Sequence, residues 1–394
     1  MYKQNTVLLI LFINLFIFTQ DSFAFKQGSV VPLSTSSAFE QAEAAGLAYV
    51  AAIQTMDKQS LSRLFDSNDF PQRVAKGGGF NRKTSREYKK LFKDQNQKQE
   101  IIGNMFVGLN VEGANFQLRK IMPFKGIENV AMVRAIFADG SMEYYFLEVN
   151  EKAKIVDMFQ ISRGMWLSDS VGQMTALVIG QGDSFFKKLT RSLELNTSAF
   201  EYYQPFFDAY AQGGYEEAHK VFLALPDHLR QVRQILELAV FSASNLSEQT
   251  YVETLEMLNQ AHGNNPELAF MLMDLHATKG DYAAVVQSLN LAMQLTGDDA
   301  HLLDLRGTYH SVLGNSELAF ADYTRAVEIE PSYIDGYWSL ADYHNGKAQY
   351  AALTQTLQLI MTNFEWQITA EDLQQAEGFE AYVQSNEFQQ AFIK

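Results

Sequence analysis

Apolar positions change their period several times along this chain. Val7–Phe18 is an apolar run interrupted only by Asn14, with Lys3 before it and Ser22-Phe23-Ala24 after it. Such a stretch, too short for a spanning helix and ended by small residues, reads as a secretory signal cleaved after Ala24. An uncleaved N-terminal anchor is the other reading. Ser34–Leu64 then repeats apolar residues at helical spacing through Phe39, Ala42, Leu47, Val50 and Ile53, and Thr84–Ile101 is also helical. Beyond it the period falls to two, predicting strands over 104–112, 114–123, 129–138, 141–149 and 154–163. Asp139-Gly140 is a two-residue hairpin turn. From about Pro266 the helical period returns and stays.

The last region also matches itself at a fixed offset. One column holds Gly280, Gly314 and Ala348, where a tight turn between helices needs a small residue. Columns of small or apolar residues follow: Val285, Ala319, Leu353; Leu289, Tyr323, Leu357; Ala292, Ala326, Ile360. In its length and its columns the repeat resembles the tetratricopeptide (TPR) unit over 266–299, 300–333 and 334–367. Ala300–Tyr333 matches best, with Gly307, Gly314, Ala319, Tyr323, Ala326 and Pro331 in the family's positions. Arg306 departs from the usual leucine. Weaker signals, Gly213-Gly214-Tyr215 and a helical pair over 228–262, extend the pattern to about five hairpins across 183–394. Thr369 with Asp372 reads as a helix cap.

The fold class that follows is multidomain: an α+β domain over 25–180, with helices packed on a curved antiparallel sheet, then an all-α TPR-like solenoid over 183–394. Helices followed by a strand meander also look like the nuclear-transport-factor-like or cystatin-like α+β cone. The joint is placed at Gly180–Asp183.

Charge divides the chain the same way. Residues 25–180 hold 19 Lys/Arg against 16 Asp/Glu, and 181–394 hold 11 against 29. An acidic second half disfavours nucleic acid, whose phosphates need a positive surface. Cysteine is absent, which excludes disulfides, thiolate metal sites and a cysteine nucleophile. No metal or cofactor is expected. His276, His310 and His344 recur once per repeat, but successive repeats hold them too far apart for one ion, so they are read as aromatic-like packing.

The TPR resemblance implies a concave wall formed by the first helix of each hairpin. Its ligand-facing columns fall on Glu267, His301 and Asp335; on Phe270, Asp304 and Trp338; and on Asp274, Thr308 and Asp342. Five carboxylates and two aromatic rings predict a protein or peptide partner carrying Lys or Arg with an apolar anchor. The chain then reads as an exported, most simply periplasmic, interaction scaffold. The alternative is a small-ligand or enzymatic cone domain, with the array serving for recruitment or dimerisation. For that reading Asp157, Tyr144 and Tyr145 are the pocket candidates; solvated or packing roles compete with it. Lys76-Gly77-Gly78-Gly79 lacks the residues of a phosphate loop.

Between Arg73 and Lys98 stand nine basic and two acidic residues, with Arg82, Lys83, Arg86, Lys89, Lys90 and Lys93 crowding one helix. Three readings stay open for it: a solvated face, docking on the acidic repeats within or between chains, and contact with an anionic lipid or other acidic surface.

Overall fold

The computed structural model describes residues 37–106, 112–138, 141–178, 197–376 and 378–393. The signal segment, the Asp139-Gly140 turn and the Gly180–Asp183 joint lie outside them. The chain divides into two compact units, Pro32–Leu275 and His276–Lys394. The helices from Thr197 to Leu275 therefore share a unit with the sheet.

The N-terminal unit begins with helix Ser37–Gln54. The single helix expected to Leu64 is broken. Met56 takes a positive φ of 49°, and the Asp57 carboxylate caps a second helix, Lys58–Leu64, by accepting from the Gln59 and Ser60 N–H groups. The second expected helix is likewise two, Arg82–Leu91 and Gln95–Met105. Asp94 Oδ1 accepts from the N–H groups of Asn96 and Gln97 and restarts the helix. The start of the strand expected over 104–112 belongs to that second helix, because Ile101 and Ile102 continue its apolar face.

The triple glycine ends helix Asp69–Gly77, which sequence periodicity missed. A Cβ on Gly78 would stand 2.3 Å from the carbonyl oxygen of Gly172, on helix Leu167–Val178. These glycines let two backbones touch.

Five antiparallel strands form a meander in sequence order: β1 Asn115–Phe124, β2 Ile127–Ile136, β3 Met142–Val149, β4 Ile155–Gln160 and the short β5 Met165–Trp166. Phe124 pairs with Ile127, so Lys125-Gly126 is the whole β1–β2 loop, with φ of 48° and 82°. Positive φ at both positions is the turn that follows strand twist. Alternate residues divide the faces. Ala131, Val133, Tyr145, Leu147, Phe116 and Met158 join Tyr49 and Ile53 in a core beneath the N-terminal helices. The other face carries Phe124, Phe146, Phe159 and Trp166. Phe124 stacks on Phe146 at 4.0 Å and packs on Phe159 at 5.1 Å.

The helical region holds four packed hairpins among the described residues. Two are Thr197–Ala211 with Tyr215–Ala224, and Arg233–Ser244 with Glu248–His262. Helices Ala269–Thr278 and Tyr282–Thr296 follow in sequence, and the other two hairpins are Ala300–Val312 with Ser316–Ile329 and Ile334–Gly346 with Tyr350–Asn363. Helix starts in the last two keep the register of the repeat, Ala300 with Ile334 and Ser316 with Tyr350, and Gly280, Gly314 and Ala348 all have positive φ. Gly307 meets Tyr323, where a Cβ would lie 2.6 Å from the ring. Arg306 departs from leucine with a reason: it chelates Asp322 at 2.8 and 2.5 Å and reaches Asn290 at 2.7 Å, joining three helices. The Thr369–Asp372 capping box opens three short closing helices. No helix among the described residues is long and apolar enough to cross a membrane.

Candidate functional site

The first two positions of the expected wall are occupied by the chain itself. Glu267 follows Pro266 in a 3-10 turn that leads into helix Ala269–Thr278. Its carboxylate takes the Lys125 ammonium on one oxygen and the Arg233 guanidinium on the other, the latter at 2.5 Å. Arg233 also donates to Glu237 at 2.6 Å and to the carbonyl of Gly164 at 3.1 Å. Lys125 Nζ lies 4.8 Å from the Phe159 ring centre, a cation–π contact. Three residues beyond Glu267, Phe270 is buried and packs on Tyr144 at 5.6 Å. Glu267 and Phe270 are therefore removed from the partner-binding set. Asp274 is exposed, yet the protein around its carboxyl raises its pKa.

The later expected positions, from His301 to Asp342, lie in the C-terminal unit. Ala300–Val312 presents His301, Asp304 and Thr308; Ile334–Gly346 presents Asp335, Trp338 and Asp342. Tyr333 Oη donates to Asp304 Oδ2 at 3.0 Å and lies 3.1 Å from His301 Nδ1. With its one hydrogen given to Asp304, Tyr333 accepts from the imidazole. Thr308 Oγ1 donates to the Asp304 carbonyl. Asp304 Oδ1 is buried without a hydrogen-bond partner. Burial raises the Asp304 pKa to about 6, against hydrogen bonds from Ser339 and Tyr333, and the charges of Asp335 and Asp342 add to the rise. Asp342 is pushed up to about 6 by desolvation although solvent reaches it. Trp338 is half-buried, 6.0 Å from the ring of Trp366, which is 42% exposed. Sequence reasoning missed Tyr333, Ser339 and Trp366. Tyr333 could have been found, because it is the last residue of the best-matching repeat.

The basic helix has Arg82, Lys83, Arg86, Lys90 and Lys93 exposed, with Tyr88 and Phe92 buried beneath. Lys89 donates to Gln72. His344 packs edge-on against Phe320 at 5.7 Å.

The pocket candidates of the sheet are packed. Tyr145 sits in the core beside Tyr49, and Tyr144 lies under Phe270. Asp157 is 2% exposed rather than on a solvated face. It accepts from Ser168 Oγ at 2.5 Å and from the N–H groups of Ser168 and Met158. Its cross-strand neighbour is Glu148, a like charge directly opposite. Arg73 relieves the repulsion, gripping Glu148 at 2.5 and 2.6 Å and standing 3.7 Å from Asp157. Burial lifts the Asp157 pKa to about 6 despite those partners. This is a satisfied buried network with no free group aimed at a substrate. Among the described residues, no histidine–carboxylate group is placed to hold a metal ion.

No family model and no curated protein matches the chain. Solved structures similar to part of it include MamA from Desulfovibrio magneticus RS-1 (16% identity, 43% of this chain and 95% of that one, TM-score 0.32). A tetratricopeptide repeat protein from Parabacteroides merdae shares 13% identity over 48% of this chain and 73% of its own, with a TM-score of 0.33. PilW, a widely conserved type IV pilus biogenesis factor, shares 13% over 50% of this chain and 98% of its own, with a TM-score of 0.29. The helices from Ala300 to Asn363 keep the 34-residue register of the sequence repeat, and what they bind has to be argued from their own side chains.

Proposed function

We propose that this protein is a non-catalytic interaction scaffold whose C-terminal unit binds a partner segment carrying a Lys or Arg and an aromatic or other apolar anchor. The observation that carries this reading is internal. Asp335 and Trp338 stand two repeats beyond Glu267 and Phe270, in the same columns of the sequence repeat. At the earlier pair, the acid holds a lysine and the ring packs on a tyrosine. Asp335 is exposed and Trp338 half-buried, so the later pair presents an acid and a ring together, with Asp304 and Asp342 beside it to select for positive charge. Exposed ion pairs contribute only about 0.2–1 kcal/mol each, so Trp338 and Trp366 supply most of the affinity. Met1–Ala24 supports export, and the periplasm is the compartment we propose.

The test uses the full chain on an array of immobilised hexapeptides, each with one Lys or Arg and one aromatic residue at varied spacing, beside copies with Glu in place of the cation. The wild type is expected to retain cationic members, and Asp335→Asn with Trp338→Ala to lose them at least about tenfold. Retention indifferent to the cation or to both substitutions would overturn the proposal.

A further inference from the structure

Resting on that reading, the partner can be specified further. We propose that the basic helix Arg82–Leu91 of one copy docks on the acidic helix Ile334–Gly346 of a second copy, so that the protein self-associates.

Three observations point there. First, the basic side chains form one stripe. Arg82, Arg86 and Lys90 follow at four-residue spacing, with Lys83 beside them and Lys93 just past the helix end, all exposed. Tyr88 and Phe92 bury the opposite side, so the helix is anchored by its apolar face and displays its charge as a rigid row. Second, the C-terminal unit has the complementary charge, with five Lys/Arg against sixteen Asp/Glu over 276–394. Its exposed Asp335 and Asp342 flank Trp338 on one helix face, and the neighbouring Asp304 holds a buried oxygen without a hydrogen-bond partner. Third, the spacings agree. Lys83 and Lys90 are seven residues apart on one helix, as are Asp335 and Asp342 on the other. Seven residues rise about 10.5 Å in both cases, so two helices laid side by side meet charge with charge at both ends. Leu91, 37% exposed, adds apolar surface beside the stripe.

Basic and acidic faces lie at different places on the chain, so association gives either a closed pair, in which the basic helix of each copy meets the acidic helix of the other, or a continuing ring or filament. A contact built on exposed charge weakens as salt shortens the screening length.

The decisive experiment follows the mass of the full chain by sedimentation velocity. Wild-type protein is expected to associate with rising concentration at about 20 mM salt, at least about tenfold more weakly at about 500 mM. Lys83→Gln with Lys90→Gln removes one face, and Asp335→Asn with Asp342→Asn the other; both are surface changes that leave the fold's core intact. Each variant alone is expected to be monomeric, and their equimolar mixture to stop at a one-to-one pair, since one intact face of each kind remains. A monomeric wild type at low salt, assembly by either variant alone, or a mixture that forms no pair would overturn the proposal. Vesicles of phosphatidylglycerol are the competing arm: wild-type binding that needs Lys83 and Lys90, without self-association, assigns the stripe to lipid instead. Failure of the mixing experiment while the hexapeptide array still depends on Asp335 and Trp338 rejects this inference alone. Loss of both rejects the binding wall itself.

Discussion

Lys125 and Glu267 meet across 142 residues of sequence, joining the tip of a β-hairpin to the turn that opens helix Ala269–Thr278. Lys125 holds its place at a φ of 48°, a left-handed conformation that costs a residue with a Cβ about 1–2 kcal/mol. Its ammonium lies between Glu267 and the Phe159 ring, and that position offsets the strain.

Lys125→Ala is expected to lower stability by about 1–2 kcal/mol, because the strain stays while the ion pair goes. Lys125→Asn should lose less, since Asn-Gly is the favoured pair for this turn. Urea unfolding of the two variants checks the order. Equal losses would show that the turn conformation contributes nothing.

Folded-state pKa values of about 6 for Asp304 and Asp342 set a pH dependence. Their unfolded values are near 4. Between those limits the folded protein binds more protons than the unfolded chain, so their contribution to stability is full below pH about 4 and declines as pH rises through about 6. Asp304→Asn should therefore gain melting temperature relative to wild type at pH 7 and lose that advantage near pH 4. A difference that does not change with pH would contradict it. Binding of a cationic partner runs the other way, weakening from pH 7 to 5 as the carboxylates become neutral.

Gly307→Ala places a methyl 2.6 Å from the Tyr323 ring, which is 6% exposed and cannot swing into solvent. The expected cost is about 1–3 kcal/mol. Gly314→Ala meets no neighbour but adopts a φ of 79°, for about 1 kcal/mol. Thermal unfolding of both separates crowding from backbone strain.

Asp157→Ala removes the acceptor of Ser168 Oγ and two N–H groups, and leaves those donors buried. A loss of about 3–5 kcal/mol is expected in urea, with Asp157→Asn costing less. Partner binding by the remaining folded protein should be unchanged; a specific loss of binding at full stability would assign Asp157 a functional role instead.

Much of the architecture was legible in the chain. Period-two alternation located the four long strands closely at most of their ends, and the repeat columns located the last two hairpins. The helix breaks at Met56–Asp57 and Asp94 were not, because each depends on one side chain capping its own backbone within an otherwise continuous apolar pattern. The two-residue strand β5 and helix Asp69–Gly77 are too short for periodicity to register. The Lys125-Gly126 turn lacks the Asn or Asp that usually marks its type.

The sequence alone determined that a sheet domain precedes repeated helical hairpins, because those signals are local: spacing along one strand or helix decides which face is apolar. It also determined which columns of the repeat carry acids and rings. Tertiary structure decided which of those positions the chain itself covers. Glu267 and Asp335 are equivalent by repeat, and nothing in the sequence beside either distinguishes them. The distinction comes from Lys125 and Tyr144, far earlier in the chain, which the folded sheet brings against the first pair. Long-range charge and packing contacts of that kind leave no periodic trace, and only the folded chain reveals them.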